Sequence, residues 1–325
     1  MTTPQHKIGS GFGFSSTAED VLAGIDLSGT LAIVTGGYSG IGIETTRALA
    51  KAGAHVVVPA RRVEAAREAV AGLGDISANV EVDELDLGDL DSVRDFAERF
   101  LATGRDIDAV INSAAVMACQ ETRVGPGWEA QFATNHLGHF ALVNRLWPRL
   151  VTGGGARVVA VSSGAHQRSD IRWDDIQLEH GYDKWVAYGQ AKTANALFAV
   201  QLDRLGAGAG VRAFAVHPGG IRTPLQRHLA EQELVDRGLL DEAGNPTDNP
   251  NLKSPEQGAA TQTWAATSPR LAGMGGVYLE DCEIAEVTDG EPITPGVRAY
   301  AVDPAQAERL WALSAELTEV GAMVA

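Results

Sequence analysis

The sequence predicts an α/β protein, a doubly wound parallel sheet with helices on both faces in a single domain, and three observations carry that prediction. Short, near-continuous apolar runs recur at Leu31–Thr35, His55–Pro59, Val80–Leu85, Ile107–Asn112, Arg157–Ser162 and Val211–His217, the pattern of strands buried on both faces. Helical stretches separate them, at Ile41–Ala52, Glu64–Leu73, Leu90–Ala102, Glu129–Leu150 and Trp185–Leu205, and such alternation implies parallel strands with ligands at their carboxyl ends. The chain has 325 residues, 45% of them hydrophobic and 21% charged, enough to bury one large core.

Residues 1–28 read as a Gly-containing arm followed by a short helix that Ser16 and Glu19 close as a capping box. Residues 29–325 read as one domain without internal repeats. Beyond His217 the alternation loosens: Arg222–Leu240 reads as a helical excursion and Asp241–Lys253 as a polar loop, so that about 222–254 forms a lid over substrate. A new helix then begins with Ser254 as N-cap, Pro255 in first position and Gln257 completing the box. Gly276–Leu279 is predicted as a last strand. Asp303–Val320 is predicted as a closing amphipathic helix carrying Leu310, Leu313 and Leu317 on one face.

A formal charge of -16 argues against a nucleic-acid partner and against a polybasic membrane patch. No apolar run approaches membrane-spanning length, and Met1–Ser15 lacks the basic-then-apolar order of a secretory signal. Cys119 and Cys282 read as free thiols, so a cytoplasmic location is expected. The His and Cys residues lack ligand spacing, and no metal is expected.

The first predicted strand ends in Thr35-Gly36-Gly37-Tyr38-Ser39-Gly40-Ile41-Gly42, and a helix follows at once. Glycines here permit a tight turn and let a pyrophosphate approach the backbone at the helix N-terminus. After the second strand an acid would bind both ribose hydroxyls of NAD, but the run is Val58-Pro59-Ala60-Arg61-Arg62. Arg61 offers a 2′-phosphate a bidentate partner, which points to NADP(H) in preference, with NAD(H) possible.

Tyr188 and Lys192 stand at i and i+4 in a helical stretch, on one face. A tyrosine acidified by a neighbouring ammonium can exchange the proton that hydride transfer to a carbonyl requires. The fifth predicted strand ends in Ser162-Ser163, at the edge where substrates bind, and either hydroxyl is a candidate for the substrate oxygen.

The Thr-Gly-x-x-x-Gly-x-Gly spacing, the Tyr-x-x-x-Lys pair and the strand-end serine together resemble the classical short-chain dehydrogenase/reductase family, which has a Rossmann-type fold. The resemblance runs over residues 31 to 223. It implies cofactor contacts from Gly36, Tyr38, Ser39, Gly40, Ile41 and Gly42 in the turn. Further on it implies Asp86 and Leu87 at the adenine, and Asn112 and Ala114 from a partial match to the family's Asn-Asn-Ala-Gly. Tyr188 and Lys192 also reach the cofactor in this family, and Pro218, Gly219, Ile221 and Thr223 flank the nicotinamide. For catalysis the resemblance implies Ser163, Tyr188 and Lys192, with Asn135 anchoring a water that relays protons to Lys192. The 24 residues between Ser163 and Tyr188 and the run Asn135-His136-Leu137-Gly138-His139-Phe140 resemble the retinol-dehydrogenase-like and protochlorophyllide-reductase-like branch. Members of that branch often take lipophilic substrates, and members of the family commonly pair through the helices holding Asn135 and Tyr188, which implies a homo-oligomer.

The expected activity is hydride transfer between a nicotinamide cofactor and a small-molecule carbonyl or alcohol. A non-catalytic dinucleotide sensor is the alternative, disfavoured because all four catalytic positions are filled. Met117, Trp173, Trp185, Leu225 and Leu229 are the apolar candidates for a lipophilic substrate pocket, beside Ser163.

Overall fold

The computed structural model describes residues 3–291 and 294–321. Its eight-stranded sheet comprises β1 (Leu31–Thr35), β2 (His55–Ala60), β3 (Val80–Glu84), β4 (Ala109–Asn112), β5 (Arg157–Val161), β6 (Arg212–His217), β7 (Val277–Glu280) and β8 (Glu283–Ile284), in the order β8-β7-β6-β5-β4-β1-β2-β3. Every pairing is parallel except that of β8 with β7. Strand order reverses between β1 and β4, and a doubly wound sheet opens its ligand crevice at such a point. The pairing of Thr35 with Asn112 there sets the glycine turn beside residues 113–115.

Helices cover both faces. On one, Phe96 and Phe100 of α3 (Leu90–Ala102), Phe140 and Leu146 of α4 (Gly138–Leu150) and Phe198 and Leu202 of α5 (Lys184–Gly206) share a core. On the other, Leu49 of α1 (Gly40–Lys51; α2 is Val63–Ala71) and Trp264 of α7 (Ala260–Thr267; α6 is Glu231–Asp236) pack on Val34, Val56 and Phe214. The edge strand β3 is only half-buried and carries Glu81, Asp83 and Glu84, charges that discourage pairing with another sheet.

Several local expectations are corrected. The N-terminal helix is capped by Thr17 and Asp20, one residue beyond Ser16 and Glu19; the Ser16 hydroxyl instead accepts the Gly13 N–H. The arm before it is fastened to the sheet: Gln5 exchanges hydrogen bonds with Tyr278, and the Glu283 carboxylate accepts the Ile8 and Ser10 amides. Strand β8 was not anticipated, because the turn into it places Asp281 and Cys282, not glycines, at φ 51° and 57°. The long helix expected over Glu129–Leu150 holds a π-helical stretch at Ala133–Leu137, an insertion that hydrophobic periodicity does not register. The excursion after β6 splits into a 3-10 turn at Pro224–His228 and the short α6, with Ala230 extended between them.

The C-terminal helix α8 (Pro304–Thr318) lies against α4 and α5. Trp311 stacks on Phe198 with ring centroids 5.7 Å apart and meets Phe140 edge-on at 4.8 Å, while His136 hydrogen-bonds Ser314 at 2.7 Å.

Candidate active site

A cleft of about 660 Å³ opens beyond the carboxyl ends of the strands. At its floor the glycine turn is packed so closely that side chains are excluded. A Cβ on Gly42 would stand 2.2 Å from the Gly36 carbonyl oxygen, and Gly36 holds φ +67° with Ala114 against it. The Gly40 and Ile41 amides at the start of α1 have no acceptor among the described residues, and the Ser39 side chain does not cap them. That leaves donors at a positive helix end, the arrangement that holds a pyrophosphate. Thr223 closes over the turn from the end of β6: a Cβ on Gly40 would stand 3.3 Å from the Thr223 Cβ. The residues present therefore fit a dinucleotide.

Gly36, Tyr38, Ser39, Gly40, Ile41, Gly42, Arg61, Asp86, Leu87, Ala114, Tyr188, Lys192, Pro218, Gly219, Ile221 and Thr223 all line this one cleft. Asn112 does not. It is buried behind the wall, where its side-chain amide has no hydrogen-bond partner among the described residues. Ala115 also lines the cleft. Arg61 is exposed, with its guanidinium 3.9 Å from the Asp86 carboxylate. Arg62 and Arg227 also line the cleft. Burial, and then the charges of Arg61 and Arg62, hold Arg227 below the usual guanidinium range, so three cations gather there.

Tyr188, Lys192 and Ser163 come together at the other end. Tyr188 and Lys192 are buried on α5, with the Lys192 Nζ 5.5 Å from the phenol ring centroid and donating to the Val161 carbonyl at 2.8 Å. The Ser163 hydroxyl accepts the Ala165 amide at 3.1 Å and lies close enough to the Tyr188 phenol to lower its pKa, and both line the cleft. Ser162 is the weaker candidate of the two, because its hydroxyl donates to the Lys192 carbonyl at 2.7 Å. His217, at the end of β6, accepts the Gly164 and Gly219 amides, tying the serine loop to the Pro218-Gly219 turn.

The electrostatics differ from the sequence expectation. Burial pushes Tyr188 up to about 12, only partly offset by Ser163, and burial pulls Lys192 down to about 7. Tyr188 is thus protonated at neutral pH, and the lysine expected to acidify it is itself held below the usual ammonium range by burial.

Asn135 sits in the π stretch, out of the cleft. Its side chain is fully engaged, accepting the Val116 N–H at 2.8 Å and donating to the Val116 carbonyl at 2.9 Å, while His139 takes its carbonyl at 3.0 Å. It fixes the loop after β4. His139 also meets the Thr35 hydroxyl at 2.8 Å, so both histidines of that run are engaged in buried contacts.

Of the apolar candidates, Met117, Trp185, Leu225 and Leu229 do form one cluster with Ala165 and Tyr188. Trp173 lies elsewhere: it packs in the cluster of Ile171 and Leu310, under the Arg309 guanidinium at 3.9 Å. The segment after β5 is long enough to turn away from the cleft before α5 begins, which residue spacing alone does not reveal. Sequence reading also overlooked Arg168, Arg227 and Arg237 in the lining. For Arg227 and Arg237 the signal available was a pair of arginines in the excursion of an otherwise acidic chain; Arg168, in the turn after Ser163, carried none.

Residues 30–234 match the family model for short chain dehydrogenase. A probable oxidoreductase of Streptomyces lividans is 43% identical over 305 residues, covering 91% of this chain and 100% of that protein. Retinol dehydrogenase 12 of Mus musculus is 37% identical over 295 residues, 90% of this chain and 87% of that one. An uncharacterised protein of Mycobacterium paratuberculosis, known by crystal structure, superimposes with a TM-score of 0.71 at 33% identity, covering 94% of this chain and 98% of that one. No helix among the described residues is long and apolar enough to cross a membrane.

Proposed function

The chain belongs to the short-chain dehydrogenase/reductase family, an NAD(P)-binding oxidoreductase family, and we propose that it interconverts a lipophilic carbonyl compound and its alcohol with NADP(H), using Tyr188 as general acid and base. The observation that carries the reading is the convergence of the Tyr188 phenol and the Ser163 hydroxyl on the wall of the same cleft that holds the glycine turn.

The dinucleotide, when bound, supplies or accepts the hydride. The chain's own residues do the rest. The glycine turn and Thr223 hold the phosphates, and Ser163 hydrogen-bonds the substrate oxygen. Tyr188, protonated at neutral pH, donates its proton to that oxygen as it gains charge. Lys192, held in place by the Val161 carbonyl, balances the charge of the phenolate left behind, which regains its proton from solvent before the next turnover.

NADP(H) is favoured because Ala60 stands where an acid would contact the ribose and because Arg61, Arg62 and Arg227 gather nearby. The cluster of Met117, Trp185, Leu225 and Leu229 favours a lipophilic substrate body, as does a relative named for retinol. Residues 223–253 serve as the lid, with Leu225 and Leu229 against the pocket and Lys253 anchoring the far end to Asp281. The packing of α8 over α4 and α5 covers part of those helices, so a homo-oligomer would pair through surfaces that α8 leaves open. Two free, buried cysteines are consistent with a cytoplasmic location.

The test is Tyr188→Phe. Dinucleotide affinity should be nearly unchanged while turnover with a good carbonyl substrate falls by roughly 10²–10⁴. A variant keeping more than half the wild-type rate refutes the assignment.

A further inference from the structure

The cleft is cationic in an acidic protein. Against a net charge of -16, its lining includes Arg61, Arg62, Arg168, Lys192, Arg227 and Arg237, with Asp86 as the one acid among the described residues. Arg61, Arg62 and Arg227 are accounted for by the dinucleotide end, and Lys192 is buried beneath Tyr188. Arg168 and Arg237 are not accounted for. They come from different elements, Arg168 from the turn after Ser163 and Arg237 from the end of α6 in the lid.

Both stack on one indole at the substrate end. The Arg237 guanidinium carbon is 3.7 Å from the Trp185 ring centroid, and that of Arg168 is 5.7 Å away. Trp185 in turn meets the Tyr188 ring edge-on at 6.3 Å. Neither guanidinium has an ion-pair partner among the described residues. The acid that Arg237 senses, Glu233, is held by the Lys184 ammonium at 2.7 Å and the Ala230 amide at 3.0 Å. Two cations brought together without an acid repel one another, and an arginine fork is matched in shape to a carboxylate.

We propose that Arg168 and Arg237, stacked on Trp185, form an anion subsite for the carboxylate of an amphiphilic substrate, whose apolar body lies on Met117, Leu225 and Leu229. This rests on the carbonyl/alcohol oxidoreductase reading and narrows its substrate class to oxo or hydroxy acids with an apolar body. The reacting carbon at Tyr188 and the carboxylate are then separated by one aromatic ring. Because Arg237 rides on the lid, the carboxylate also draws the lid shut.

The test is calorimetric titration of the NADP⁺-saturated protein with decanoate and with decanol, so that arginines of the dinucleotide end are already engaged. The wild type should bind decanoate at least tenfold more tightly, about 1.4 kcal/mol, with the margin shrinking as salt rises. The double variant Arg168→Met, Arg237→Met should bind the two probes equally. Equal binding by the wild type overturns the subsite, as does a preference that survives in the double variant. Titration of the dinucleotide itself keeps the two readings apart. A chain that binds NADPH without preferring decanoate loses only the subsite, and one that prefers decanoate through these arginines but binds no dinucleotide loses only the oxidoreductase reading.

Discussion

The two walls of the cleft are built on opposite principles. The dinucleotide wall is backbone: at Gly36 and Gly42 neighbouring main chain fills the space where a side chain would go. The substrate wall is side chain, and part of it is carried on residues 223–253, an excursion whose 3-10 turn and α6 bury no residue of their own. It is held by scattered contacts such as Lys184 to Glu233 and Lys253 to Asp281. A wall of packed backbone has one state and tolerates little substitution, whereas a wall of side chains on a lightly anchored segment can be re-specified without disturbing the sheet.

The sharpest way to break this contrast is at Gly42. Gly42→Val would drive a branched side chain into the Gly36 carbonyl, so we expect dinucleotide binding to vanish and the melting temperature to fall steeply, the cost exceeding the roughly 1–3 kcal/mol of ordinary overpacking. Retained binding by calorimetry would mean that the turn can yield.

Acid should expose the same frame. Burial holds His136 and His217 at about 3 and His139 and His166 at about 4, while the unfolded chain takes up protons near pH 6.5. The unfolded state therefore binds more protons between those limits. Stability is complete above about pH 6.5 and is lost as pH falls toward 4, by up to about 1.4 kcal/mol per pH unit for each histidine. All four lie in the sheet frame, none in the lid. A melting temperature that stays flat from pH 7 to 5 would contradict the burial of these rings.

Smaller effects should mark the side-chain contacts. Arg61→Ala should weaken NADPH binding about tenfold and leave NADH binding almost unchanged, an exposed charge-assisted contact being worth about 1.4 kcal/mol or less once screened. Tighter binding of NADH than NADPH by the wild type would remove the premise. Smallest of all, Lys184→Met breaks a partly exposed ion pair worth about 0.2–1 kcal/mol. Its melting curve should scarcely move, but hydrogen exchange across residues 223–253 should quicken. Unaltered exchange there would show that the lid is held by something other than this pair.

The sequence by itself determined the parallel sheet, the positions of its main strands, the glycine turn and the Tyr188–Lys192 pair. Each of these is set by local rules: buried strands are apolar throughout, close backbone approach demands glycine, and one helical turn places i and i+4 on one face. Tertiary structure alone decided the rest. It engaged Ser162 with the Lys192 carbonyl, turned Asn135 onto Val116, carried Trp173 to the far cluster, and gathered Arg168 and Arg237 on Trp185. It also reversed the sign expected for Tyr188, because the shift follows from how completely a phenol is desolvated. Desolvation, like the meeting of side chains distant in the chain, belongs to packing in three dimensions, and neither residue type nor spacing encodes it.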